Sequence, residues 1–333
     1  MKSKMGVMFV LLAGCIFVSS TAFAGWTQAK GHAYNQLTLS YYKTTSKMTS
    51  IEKYPEVEGD AKSNKVKSTH SRIYKNQEEE FTQTQLSYYG EYGLKDDLTA
   101  VLSGGWAYVR SNDILNYTED KDSTRGVGDI IFGLRQKLSD NVAGGPLSVE
   151  VDFKIPEAYE YENPFEVQNL GDGQYDAVVK LLYGKGFSKG YAVFSAGDKY
   201  RFENDQLGEF YFKPSDQFLV SLSGGYNAAP WLSIRGKIDW NRTVGNAEIS
   251  DHVKAEGIKW GIPDDNFAEA VIIQDSLGLE QSTLSAGISL AFTLTNKIQT
   301  VASYNTDLEG SGEFKSENAS LGETFSIALV YMH

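Results

Sequence analysis

Leu147-Ser148-Val149-Glu150-Val151-Asp152-Phe153-Lys154-Ile155 puts Leu147, Val149, Val151, Phe153 and Ile155 on one side of an extended chain and Ser148, Glu150, Asp152 and Lys154 on the other. In a soluble sandwich the apolar side would be the core and the charged side the surface. Here the pattern recurs about a dozen times behind an export signal, which inverts the reading: apolar side chains face lipid and polar ones line a lumen.

The export signal occupies residues 1–24. Lys2 and Lys4 precede an apolar stretch from Met5 to Val18, and Ala22-Phe23-Ala24 is a small-residue cleavage site, so the mature chain is expected to begin at Gly25. Leu12-Ala13-Gly14-Cys15 also reads as a lipobox that would place a lipid on Cys15, although Ile16-Phe17-Val18 continues the apolar run. Either route leads to the envelope. Cys15 is the only cysteine, so neither a disulfide framework nor redox chemistry is expected. The net charge is -12 at pH 7, and loss of Lys2 and Lys4 makes the chain more acidic still, which argues against nucleic acid as a partner. No later stretch approaches the roughly 20 consecutive apolar residues of a membrane helix. A barrel crosses with alternating strands instead, its backbone groups satisfied between neighbours. Residues 25–333 read as one domain.

Twelve segments alternate: 32–42, 81–92, 98–110, 126–138, 147–155, 173–183, 191–202, 216–226, 231–244, 281–294, 298–308 and 319–333. Their connections are long, short, long, short throughout, with tight turns at Lys95-Asp96-Asp97 and Thr295-Asn296-Lys297 and long loops at 43–80 and 245–280. Bacterial outer-membrane barrels sort their connections in this way, turns in the periplasm and loops outside. With odd-numbered strands running outward, Tyr41, Trp106, Tyr108 and Trp240 fall near the outer rim. Tyr92, Tyr183, Tyr226, Trp231 and Tyr331 fall near the periplasmic one, which makes two interfacial girdles. Asp198 and Glu323 are charges that land on the lipid face, where a local bulge could redirect either one.

Arg125-Gly126-Val127-Gly128-Asp129-Ile130-Ile131-Phe132-Gly133-Leu134 resembles the G-x-G-D strand of the bacterial outer-membrane family named after the MetA pathway of phenol degradation. The strand at 149–156, closed by Pro156 and followed by Leu170-Gly171-Asp172-Gly173-Gln174-Tyr175-Asp176, resembles that family's strand-Pro and G-x-G-x-x-D arrangement. The likeness covers 126–226, with Pro156-Glu157-Ala158 standing where the family often reads Pro-Thr-Gly. The resemblance implies an outer-membrane barrel that transports small, often aromatic, compounds. Gly322 with Phe325, Ile327, Leu329 and Tyr331 resembles a barrel-insertion signal, His333 replacing the usual terminal aromatic. Recognition by the barrel-assembly machinery is therefore expected.

Four histidines, His32, His70, His252 and His333, fall at strand ends or in loops and assemble no Ser/His/acid set, although Asp251 adjoins His252. Acid-rich loops (Glu119, Asp120, Asp122; Glu157, Glu160, Glu162, Glu166; Asp264, Asp265, Glu269) read as a solvated surface that relies on divalent cations to sit beside anionic lipopolysaccharide, with specific calcium binding as the alternative that oxygen clusters leave open, although EF-hand spacing is lacking. The glycine pairs Gly104-Gly105 and Gly224-Gly225 read as relief of strand curvature, and Gly126 with Gly128 opens a strand, so it is no nucleotide fingerprint. More informative are the inward positions. Asp129, Arg135, Lys137, Glu150, Asp152, Lys154, Asp176, Lys180, Arg235, Lys237 and Asp239 would line the pore, with Arg135 near Glu150 and Lys180 near Glu150 or Asp152. Mixed signs there argue against a strongly ion-selective pore.

The expectation is an all-β protein, an antiparallel transmembrane barrel of about twelve strands. It would be monomeric, in the bacterial outer membrane, and would pass small neutral or aromatic solutes. Its partners would be outer-membrane lipid and lipopolysaccharide, the assembly machinery and a small-molecule solute, with no cofactor and no metal. The alternatives are a closed structural or binding barrel acting through its long loops and, third, an outer-membrane enzyme.

Overall fold

The computed structural model describes residues 26–49, 72–75, 80–111, 123–262, 264 and 268–333. The signal segment, Cys15, His70, Glu119, Asp120, Asp122 and Asp265 lie outside the described residues. Twelve wall strands follow one another: β1 Ala33–Thr49, β2 Phe81–Lys95, β3 Leu98–Ser111, β4 in two pieces (Ser123–Val127 and Ile130–Val142), β5 Gly145–Ile155 and β6 Asp176–Phe187. The second half comprises β7 Gly190–Arg201, β8 Asp216–Ala229, β9 Leu232–Val244, β10 Thr283–Thr293, β11 Ile298–Leu308 and β12 Ala319–Met332. Each pairs antiparallel with its neighbours in sequence. β12 pairs with β1 from Tyr34↔Met332 to Met48↔Ala319, which closes the sheet into a barrel.

Exposure decides between barrel and sandwich. Leu39, Phe153 and Ile327 are 55%, 55% and 67% exposed, whereas the inward Thr38, Asp152 and Ala328 are buried. Apolar side chains therefore point away from the molecule, and only a hydrocarbon environment makes that arrangement favourable. Even the shortest unbroken strands, β5, β10 and β11 with 11 residues each, meet the length of about 9–11 that a tilted strand needs to cross.

Asp198 and Glu323 stay on the outer face, and no bulge redirects them. Asp198 pairs in unbroken register with Val179 and Phe218. Glu323 stands opposite Lys43 and accepts a hydrogen bond from the Tyr304 hydroxyl at 2.9 Å. At the periplasmic end, Ala143 (φ 51°) and Gly144 (φ 89°) form the two left-handed positions of the tight β4–β5 turn, a geometry that follows strand twist.

Two departures from the sequence reading matter for the lumen. First, β4 breaks at Gly128-Asp129, because β5 ends at Ile155-Pro156 and proline has no N–H to extend the ladder. The outer loop between β5 and β6 fills the break: a Cβ on Gly126 would lie 2.8 Å from Leu170, and one on Gly128 3.2 Å from its carbonyl. These glycines admit a loop, so close approach, rather than strand curvature, is their function. Second, the stretches read as plain loops carry structure. Strand β1 runs on to Thr49 and pairs with Arg72–Lys75, Asn204–Leu207 pairs with Phe210–Lys213, and Asp251–Lys259 is an α-helix leading towards a π-helix at Ile272–Ser276.

Gly322 on β12 faces inward, and a Cβ there would collide with the ring of Tyr42 on β1. The ring covers the glycine at the seam, and the Tyr42 hydroxyl bonds Asp307 at 3.3 Å, while Asp307 also accepts from the Gly322 N–H at 3.0 Å. Gly322→Val is expected to weaken closure by roughly 1–3 kcal/mol, the usual cost of overpacking. Urea titration of the refolded barrel, followed by its heat-modifiable gel mobility, measures this.

Candidate functional site in the lumen

The lumen wall has two unlike sides. On β2–β7, inward charges form two connected clusters. In the lower one the Arg135 Nε donates to Glu150 (2.6 Å), its Nη1 to Glu91 (3.0 Å) and its Nη2 to the Tyr89 hydroxyl (3.3 Å). Lys180 lies 2.7 Å from both Glu150 and Asp152. The expected neighbours of Arg135 and Lys180 are thus found, because register sets Arg135 opposite Glu150 and Glu150 opposite Lys180.

The upper cluster surrounds Lys154, which reaches Asp176 (2.9 Å), Asp129 (3.4 Å) and Asp172 (3.4 Å). Lys199 joins Asp176 at 3.2 Å, and Arg201 joins Asp172 at 2.8 Å. Asp129 sits in the break of β4, freed from the strand and aimed at Lys154, and it accepts from the Tyr159 hydroxyl at 2.9 Å. Three cations meet three carboxylates here. Glu91 takes the inward place that the alternation of 81–92 predicts, whereas Asp172, Lys199 and Arg201 are not among the expected pore positions, although Lys199 and Arg201 flank the outward Tyr200 and so share the inward face.

The other wall is apolar at its periplasmic end. Tyr34, Ala291, Val301, Ala328 and Val330 form a buried cluster with Tyr89 and Met332 beside it, and Tyr34 meets Tyr89 edge-on at 6.3 Å. Arg235 on this side bonds Gln299 at 3.0 Å, and Lys237 pairs with Asp239 at 2.8 Å. Lys137 stands at the periplasmic rim, 2.6 Å from Asp140.

Residues 26–32 fold back into the periplasmic mouth. The Trp26 carbonyl accepts from Arg135 at 3.1 Å, the Gln28 N–H donates to Thr99 (2.8 Å), and the Gln28 side chain donates to Glu91 (2.6 Å). The indole of Trp26 lies over Gly184, where a Cβ would come within 2.8 Å of it. Nothing in the residue types of 26–32 announces this; its signal would have been the unmatched inward Glu91 and Thr99.

The outer end is covered by loops with their own core of Tyr161, Phe165, Phe212, Val253, Ile272, Leu277 and Leu279. Asn163 of one loop donates to Glu256 of another at 3.3 Å. Burial disfavours the Glu256 charge, but bonds from Lys259, Trp260 and Asn163 outweigh it and hold the carboxyl below the usual glutamate range. Lys47 on β1 fastens this cover to the wall, donating to the Asp275 carbonyl and lying 3.2 Å from its carboxylate. Lys47→Met is expected to release the 268–279 segment, seen as faster protease cleavage there with unchanged gel mobility of the barrel. His252 pairs with Glu209 at 2.9 Å on the exposed surface.

The chain overlaps with an outer membrane channel from Pseudomonas putida F1 at a TM-score of 0.61, over 93% of this chain and 98% of that one, with 16% identity. This is the fold of a bacterial outer-membrane β-barrel. The translocator domain of the autotransporter NalP from Neisseria meningitidis overlaps at 0.45 with 9% identity, over 92% of this chain and 90% of that domain. The NanC porin overlaps at 0.45 with 7% identity, over 89% of this chain and 98% of that one. The chain matches no family model and no curated protein sequence.

Proposed function

We propose that this barrel is a gated channel for the passive entry of small solutes, neutral or aromatic rather than ionic. One observation carries the reading: residues 26–32 and the loop cover, neither of them part of the wall, are held at the two mouths of the barrel by a few hydrogen bonds and ion pairs. A barrel of about eight strands can fill its interior with strand side chains alone, whereas a wider one leaves a lumen that separate segments can occupy. The solute class is supported by how the lumen charges are arranged. The upper cluster balances three cations with three carboxylates and the lower one carries a single excess carboxylate, which leaves little field to select an ion, and a buried aromatic and aliphatic cluster lies beside them. The expected pore positions, from Asp129 to Asp239, would act in this reading as the fixed polar side of the path.

The test is the refolded chain in lipid, with swelling of vesicles in size-graded neutral solutes beside single-channel recording across a salt gradient. Swelling with the smallest solutes and a reversal potential near zero are expected. A folded barrel that passes nothing, even after removal of residues 26–30, would overturn the channel reading in favour of a structural or loop-binding barrel.

A further inference from the structure

We propose that the outer end of the lipid-facing wall of β1–β4 binds the phosphates of a phosphorylated glycolipid of the outer leaflet. Three successive rows of paired residues carry the argument, and it is independent of whether the lumen conducts. The top row runs Lys43, Thr82, Arg110, Ser123. Below it run Tyr41, Thr84, Tyr108, Arg125, and then Leu39, Leu86, Trp106, Val127. Lys43, Arg110 and Arg125 are exposed on the outward face, as are Tyr41, Tyr108 and Trp106.

Going down the wall, the surface therefore changes from cationic, through a row of two tyrosines with Arg125 at its edge, to a row that is apolar throughout. An amphiphile with phosphate at the top, sugar in the middle and acyl chains below has the complementary profile. Depth agrees with this. On β2 the top row (Thr82) is ten residues from Tyr92 of the periplasmic girdle. Ten residues rise about 34 Å along a strand, or about 26 Å along the membrane normal at a tilt near 40°. The apolar band of such barrels is about 25 Å tall, so the cations stand at the outer headgroups.

Arg110 and Arg125 are diagonal neighbours on adjacent strands, with Cα atoms about 7–8 Å apart, within reach of one phosphate. Guanidinium forks match phosphate oxygens in pairs. Lys43 stands two strands from Arg110, about 10 Å away, a spacing for a second phosphate on the same headgroup. Lys43 is shared with Glu80 at 2.5 Å and faces Glu323, so the two arginines carry most of the attraction. Elsewhere on the outer rim the balance differs. Across β7–β9, Asp198, Phe218 and Arg242 share a row, and Arg242 reaches Glu313 and Glu317 at 3.6 and 3.8 Å.

The experiment compares wild type with Arg110→Gln, Arg125→Gln and the double variant in nanodiscs. The discs contain either phosphatidylcholine alone or phosphatidylcholine with a few per cent of bis-phosphorylated lipid A, and bound lipid A is counted by native mass spectrometry. Lipid A is expected to be enriched around wild type and to fall about fivefold per arginine removed, from about 1 kcal/mol per cation at an anionic surface. Dephosphorylated lipid A should show no such difference. Equal retention by wild type and the folded single variants would overturn the proposal. So would loss of lipid A in the presence of millimolar inorganic phosphate, which would indicate a site for the free ion instead.

Discussion

Arg135→Met is expected to be the most damaging single substitution in the lumen, costing about 3–5 kcal/mol, the range for breaking a buried ion pair from one side. Arg135 is 2% exposed and is the cation that joins Glu91 to Glu150. Lys180 would still serve Glu150, but Glu91 would be left in a buried site with Gln28 and Tyr89 as its donors. Arg135→Lys should recover only part of the loss, because an ammonium cannot spread its donors over Glu150, Glu91 and Tyr89 as the planar fork does. Adding Glu91→Gln to Arg135→Met should recover more. Urea-induced unfolding from vesicles, read by tryptophan fluorescence, gives the three values. A loss for Arg135→Met below about 1 kcal/mol, as for exposed pairs, would mean that lumen water already screens these charges and that the cluster does not hold the wall.

The second large effect concerns conduction. A refolded chain that begins at Gly31 lacks the Trp26 carbonyl, the Gln28 amide and the Lys30 N–H that anchor the mouth segment to Arg135, Glu91, Thr99 and Asp96. The strands do not depend on it, since β1 begins at Ala33 and closes against β12. Single-channel conductance is therefore expected to rise several-fold, with an unchanged unfolding midpoint. Unchanged conductance would locate the narrowest point at the loop cover, and the Lys47→Met variant would then be the one to open the path.

Most of the wall was legible in the sequence, because period-two alternation and the sorting of turns and loops are local signals. The pairs Arg135–Glu150 and Lys180–Glu150 followed from counting along two hairpins. What could not be read depended on loops turning inward. The break at Gly128-Asp129 arises from where β5 stops and from Leu170 arriving out of a distant loop. The anchoring of Trp26 and Gln28 joins residues 63 to 109 positions apart with no periodic signature. The three-row gradient on β1–β4 was present in the alternation, but it emerges only when the registers of four strands are laid side by side.

The seam has a kinetic consequence. Ala33 and His333, near one end of the chain and at the other, exchange both backbone hydrogen bonds, at 3.0 and 2.9 Å. Those rungs span 300 positions, and non-local pairing of this kind is slow because chain entropy is lost before contacts compensate it. The ring thus cannot close until the last strand is in hand. Until that moment β1 and β12 are two open edges, and Tyr42 has not yet covered Gly322. A chain halted one strand short would present ten satisfied hairpin or neighbour interfaces and no compartment, so the inside of this protein comes into being all at once.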